Sequence, residues 1–204
     1  MGFTKDKKYA KSKYDESSLN KLTIAIQGAN NVGSSLIDLL YKEESGIKIL
    51  LSDHNYDSMK IIQDKYPEVK IVDLEELISS KCDILSPCAN GGIINNENYK
   101  KLKCKIIAPG AVNILTDDSI ADKLYKKDIL FAPDFLINAG EVIQIQNEIS
   151  GLPYETAIES VNELTDTLSN VLRISAEEKI PAYHIAKRIA EERIRNISFI
   201  KNIF

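Results

Sequence analysis

Apolar and polar positions change their rhythm three times along the chain. Residues 1–20 are polar, with Lys5, Lys7, Lys8, Lys11 and Lys13 close together and Asp6, Asp15 and Glu16 between them. That mixture predicts a solvated leader helix or linker rather than a basic patch. From Leu22 a short apolar run, Leu22–Gln27, reads as a strand closed by Gly28. Asn31–Glu44 follows with Val32, Leu36, Leu39 and Leu40 at helical spacing. Further strands are predicted at Ile47–Leu51, Val69–Val72, Cys82–Ser86, Lys105–Ala108 and Ile129–Phe131. Helices are predicted between them at Ser58–Tyr66 and Leu74–Ser79. Strands alternating with helices predict an α/β fold with a doubly wound, mostly parallel sheet. The last third is helical: Ala139–Ser150, then Tyr154–Lys179, then a helix opened by Pro181. The organisation expected is a leader over 1–20, a nucleotide-binding domain over 21–150, and C-terminal helices over 151–204 packed on that domain.

Composition narrows the picture. The chain has 204 residues, 44% of them hydrophobic and 27% charged, which excludes wholesale disorder. A formal net charge of −4 gives no global reason to bind nucleic acid. No apolar run approaches a membrane span, so no membrane partner is expected and the cytoplasm is the default location. Three cysteines without a CxxC pair, and two histidines, predict reduced thiols and no metal site.

The chemistry-bearing stretch is Gly28-Ala29-Asn30-Asn31-Val32-Gly33, placed after the first strand and opening the first helix. A dinucleotide turn wants Gly-x-Gly-x-x-Gly there. Its glycines permit the turn, the approach of the pyrophosphate, and close helix–strand packing; free helix-terminal amides then hold phosphate. The first and third positions match, and Asn30 stands at the middle one. Asp53 ends the second strand 25 positions after Gly28, where an acid would bind the adenosine ribose and favour NAD over NADP. The plain alternatives are a simple strand–helix turn for the glycines and a helix cap for Asp53.

Four segments read in order sharpen this: Gln27–Val32, Pro87–Asn95, Ala108–Leu115 and Ala132–Gly140. Together they resemble the NAD-binding domain of the Glu/Leu/Phe/Val dehydrogenase family, in its leucine-acting branch. The resemblance covers about residues 10–198. It implies a Rossmann-type sheet with one strand reversed, and NAD-dependent oxidative deamination of an L-amino acid in a cleft between two domains. It also implies that Gly28, Asn30, Asn31, Val32, Asp53, Cys88, Ala89, Asn113 and Asn138 line the cofactor.

The family's other domain supplies a Gly-Gly-x-Lys motif and a catalytic aspartate. No Gly-Gly-x-Lys occurs in these residues, so no catalytic residue is assigned. The chain is expected to be inactive alone, because a lysine must polarise the developing carbonyl while a second group moves protons. An amino-acid substrate is expected only if a separately encoded catalytic half completes the site. The alternative is a non-catalytic nucleotide-binding or structural module, or the relic of a truncated gene. Three departures fall at cofactor or substrate positions: Asn30, Val112 and Glu141. Strain or displacement at Asn30 is expected to weaken NAD binding by about 1–3 kcal/mol, roughly tenfold to a hundredfold. Part of the apolar face Val161, Leu164, Leu168, Val171, Leu172, Ile185 and Ile189 can be covered by the domain's own sheet, and the remainder is expected to support a homodimer or to capture a partner chain.

Overall fold

A computed structural model describes residues 21–43 and 46–201; the expected leader over 1–20 lies outside them. Six strands form one sheet: β1 (Thr23–Gln27), β2 (Lys48–Ser52), β3 (Lys70–Ile71), β4 (Ile84–Pro87), β5 (Ile106–Ile107) and β6 (Leu130–Phe131). Their order is β3-β2-β1-β4-β5-β6, and every pairing is parallel. This is a Rossmann-like doubly wound sheet, with its topological switch point between β1 and β4. The reversed strand implied by the resemblance is not among the described strands. Helices on both faces explain why β1 and β2 read as near-continuous apolar runs: Ile24, Ala25, Ile26, Ile49 and Leu51 are all buried.

The helices are α1 (Asn31–Glu43), α2 (Tyr56–Lys65), α3 (Leu74–Ser79), α4 (Ser119–Lys126), α5 (Asp134–Ile137), α6 (Gly140–Ile149), α7 (Tyr154–Glu178) and α8 (Ala182–Lys201). Side-chain caps start α2 and α3: Asn55 accepts from the Ser58 amide at 3.2 Å, and Asp73 from the Glu76 amide at 2.7 Å. One core cluster joins Ile37, Leu40 and Ile62 to β1 and β2. Another joins Leu77, Ile120 and Leu124 to β4, β5 and β6.

The C-terminal helices pack on the sheet domain. Leu168, Val171, Leu172 and Ile185 are buried in a third cluster with Leu130, Leu136 and Ile137, and Ile189 packs partly against it. That part of the face is covered by the chain's own β6 and α5. Polar contacts reinforce the seat: Tyr183 Oη donates to Asp118 at 2.8 Å, and Lys187 Nζ donates to the same carboxylate at 2.8 Å. Among the described residues no helix is long and apolar enough to cross a membrane.

Candidate nucleotide site at the switch point

The carboxyl ends of β1 and β4 lie at the switch point of the strand order, the place of the crevice in which open α/β sheets bind ligands. Gly28 leaves β1 at φ +118°, a conformation L side chains rarely adopt, and an added Cβ would press on Ala89 at 3.0 Å. Gly33 lies in the first turn of α1 directly against Gly28, and a Cβ there would overlap the Gly28 carbonyl oxygen. The two glycines therefore bring α1 onto β1 as the fingerprint requires.

Asn30 behaves differently from a strained replacement. The non-glycine residues with positive φ among those described are Asn113, Asp128 and Lys179, so Asn30 carries no left-handed strain. It acts as the cap of α1. Its Oδ1 accepts from the amides of Val32 at 3.0 Å and Gly33 at 3.1 Å. Its Nδ2 donates to the Cys88 carbonyl at 2.8 Å. The strain half of the expectation is thus corrected. The displacement half has a defined geometry: one neutral side chain holds two amides of the anion-binding turn and spans the crevice to the β4 side. Asn30 is exposed, so solvent lies beside it.

Asp53 stands at the end of β2 with its carboxylate facing this turn. Oδ2 accepts the Ala29 amide at 2.7 Å, and Oδ1 accepts the Asn55 amide at 2.8 Å. Burial works to raise its pKa. The amides of Asn55, Ala29 and His54, with the charge of the His54 ring, outweigh burial and hold the group below the ordinary carboxylate value. It is therefore an anion at neutral pH, correctly signed to accept from ribose hydroxyls and to repel a 2′-phosphate.

Across the crevice, Cys88 is 2% exposed, and its thiol is pushed up by burial. A Cβ on Gly110 would meet its Sγ at 2.8 Å, so the sulfur faces the protein interior. The Cys88 carbonyl is taken by Asn30. Ala89 donates its amide to Gln27 Oε1 at 3.4 Å, which ties the β4 loop to β1.

Asn113 and Asn138 belong to the β5 side. Asn113 has φ +57° and an exposed side chain, and its carbonyl accepts the Gly92 amide at 2.7 Å. Asn138 Nδ2 donates to the carbonyls of Pro109 at 3.2 Å and Ala111 at 3.1 Å. It shapes the loop before Asn113. Asp134, within Ala132–Gly140, does similar work. It is 5% exposed, and its Oδ2 accepts the Ile114 amide at 3.0 Å. A charged residue inside Leu130–Phe135 was the sequence signal for it. Val112 and Glu141 are both exposed, Glu141 in the first turn of α6. Among the described residues no group of three or more His, Cys, Asp or Glu could hold a metal ion.

A family profile described as Glutamate/Leucine/Phenylalanine/Valine dehydrogenase matches residues 43–197. The chain belongs to the Glu/Leu/Phe/Val dehydrogenase family. It is 37% identical to leucine dehydrogenase of Bacillus subtilis (strain 168) over 188 residues, covering 92% of this chain and 51% of that protein. It is 34% identical to leucine dehydrogenase of Geobacillus stearothermophilus over 195 residues, 96% of this chain and 52% of that protein. The chain spans about half the length of these curated relatives. The crystal structure of L-tryptophan dehydrogenase from Nostoc punctiforme superposes with a TM-score of 0.87 at 32% identity, covering 96% of this chain and 57% of that chain. The hetero-hexameric glutamate dehydrogenase of Thermus thermophilus shares the fold, with a TM-score of 0.74 at 15% identity over 98% of this chain and 52% of that chain.

Proposed function

We propose that this chain is the NAD-binding half of an L-amino-acid dehydrogenase of the leucine-acting branch. The observation that carries the reading is the Gly28–Gly33 turn at the switch point with the ionised Asp53 bonded to its Ala29 amide at 2.7 Å. The fit is direct on the adenosine side, where Asp53 would accept from the ribose. On the diphosphate side it requires the exposed Asn30 side chain to turn outward and release the Val32 and Gly33 amides. Asn113, held in place by Asp134 and Asn138, would stand at the nicotinamide end. Bound NAD supplies the hydride acceptor. The chain's own residues would orient it and exclude NADP. The lysine that polarises the carbonyl would come from outside residues 1–204, because no Gly-Gly-x-Lys stands within them.

Calorimetric titration of the purified chain with NAD and NADP tests this. NAD is expected to bind and NADP to bind more weakly, with Asp53→Ala narrowing the gap. Equal affinity for both would remove Asp53 from the assigned role. The same preparation is expected to form no NADH from NAD with leucine, valine, phenylalanine or glutamate; turnover would overturn the assignment of catalysis to another polypeptide segment.

A second reading, a non-catalytic module, is favoured by one observation: Asn30 already satisfies the amides that a diphosphate would need. Absence of NAD binding, with the fold intact by circular dichroism, would select it.

A further inference from the structure

The described thiols outside the crevice form a pair. Cys82 and Cys104 each stand two residues before the first matched residues of adjacent strands, Ile84 on β4 and Ile106 on β5. Equal offsets in a parallel register put the two cysteines level with one another. The backbone pairing continues down to them, since the amides of Lys105 and Ile106 both donate to the Asp83 carbonyl, at 3.1 and 3.0 Å. Neighbouring parallel strands lie about 4.8 Å apart, inside the roughly 4.4–6.8 Å of Cα separation that a disulfide spans. Both side chains enter the same core cluster, beside Leu85 and Ile107, and both are free thiols at 6% exposure.

We propose that Cys82 and Cys104 are a redox-active dithiol, which a small hydroperoxide converts to a disulfide across the first rungs of β4 and β5 and a thiol reductant restores.

Held by Cys104, with further help from the Ser80 side chain, the Cys82 thiol lies below its ordinary value. Cys104, bonded to Cys82 and buried, is pushed up and keeps its proton. Attack is assigned to Cys82 and resolution to Cys104, and the two serine variants test that order. The Cys82 sulfur attacks one oxygen of hydrogen peroxide, the O–O bond breaks, and Cys82 becomes a sulfenic acid. The departing hydroxide takes up the proton that Cys82 gave and leaves as water. The Cys104 sulfur then attacks the Cys82 sulfur; the S–S bond forms as the S–O bond breaks. The second hydroxide leaves as water with the Cys104 proton. Two thiols and one peroxide yield one disulfide and two waters. Cys88 takes no part: its buried sulfur lies just past the carboxyl end of β4, bonded to Ser86 at 3.5 Å from the hydroxyl.

The bond would enclose residues 83–103, which include the Cys88–Ala89 loop of the crevice and the turn at Tyr99–Lys101. Oxidation would thereby restrain one wall of the candidate nucleotide site from the opposite end of the strand.

The test uses the reduced, full chain treated briefly with hydrogen peroxide. Remaining thiols are then alkylated under denaturing conditions, and tryptic peptides are weighed and fragmented, since Cys82 and Cys88 share the peptide Cys82–Lys100. The expected product is the peptide beginning at Cys82 joined to Cys104-Lys105, lighter by two hydrogens than the sum, with Cys88 alkylated and the link reversed by dithiothreitol. Cys104→Ser is expected to leave a Cys82 sulfenic acid that dimedone traps. Cys82→Ser is expected to leave Cys104 alkylatable after peroxide. A wild-type chain whose Cys82 and Cys104 both remain alkylatable, or whose link joins Cys88, would overturn the proposal. The wild-type result decides even if a serine variant fails to fold.

Discussion

At Asn30 a neutral cap and an anionic ligand want the same atoms. The side chain makes three hydrogen bonds, two from amides of α1 and one to Cys88, so an entering diphosphate must break them before it gains its own. At about 0.5–1.5 kcal/mol net for each of the two amide bonds that the diphosphate would take over, the competition is worth roughly 1–3 kcal/mol, or tenfold to a hundredfold in affinity. Asn30→Gly is expected to tighten NAD binding by that factor while costing the fold little, since glycine is a tolerable cap. Asn30→Asp keeps the cap and suits the helix dipole, gives up the donor to the Cys88 carbonyl, and repels the diphosphate. The expected result by calorimetry and thermal melting is a stable chain that does not bind. Unchanged affinity in Asn30→Gly would show that the cap and the ligand coexist. Asp53 adds a pH signature. Its folded pKa is depressed, so its contribution to stability is present above the unfolded value of about 3.9 and is lost as pH falls through the folded value. Urea midpoints at about pH 6 and about pH 3 should therefore converge in Asp53→Asn relative to wild type; an unchanged difference would mean that the amides of Ala29 and Asn55 contribute no pH-dependent stability.

Elements were legible where a pattern is local. Gly28 and Gly33 mark the end of β1 and the start of α1, because a positive φ and a closed helix–strand contact admit no side chain. Gly33→Ala is expected to cost about 1–3 kcal/mol or more by forcing α1 off β1, read as a lowered denaturant midpoint. A midpoint unchanged from wild type would mean that α1 shifts freely. The same logic explains what the sequence hid. β3, β5 and β6 pair over two residues each, shorter than the apolar runs that suggested them, because strand length depends on the neighbour's register. α4 lacks a cap signal at its start: Asp118 makes no side-chain cap and serves Tyr183 and Lys187 of α8 instead. In the site, Asp53 and Gly28 were readable from spacing. The inward turn of the Cys88 sulfur and the buttressing by Asp134 and Asn138 were not, since each depends on loops that meet only after the sheet has formed.

For the whole molecule the remaining question is which apolar surface stays uncovered. Leu168, Val171, Leu172 and Ile185 do not count, because β6 and α5 already cover them. A different strip does. Val142, Ile145 and Ile149 lie three and four positions apart on one face of α6, and they are 68%, 48% and 78% exposed. Tyr154, Ile158 and Val161 recur at similar spacing on α7, with Val161 Cγ2 lying 3.8 Å from where a Gly140 Cβ would sit. The two stripes belong to adjoining helices. Contiguous apolar patches beyond a few hundred Å² are uncommon on monomers, and burial is worth about 25 cal/mol per Å². Self-association through α6 and the first turns of α7 is the expected outcome, rather than through the buried part of the α7–α8 face. Light scattering across a dilution series should show mass falling toward the monomer as concentration drops. The pair Val142→Lys and Ile149→Lys should shift that transition to higher concentration, and Val171→Ala should instead lower thermal stability by opening a cavity beneath α7. A chain that stays monomeric at micromolar concentration, with and without the lysines, would show that this strip is tolerated in water.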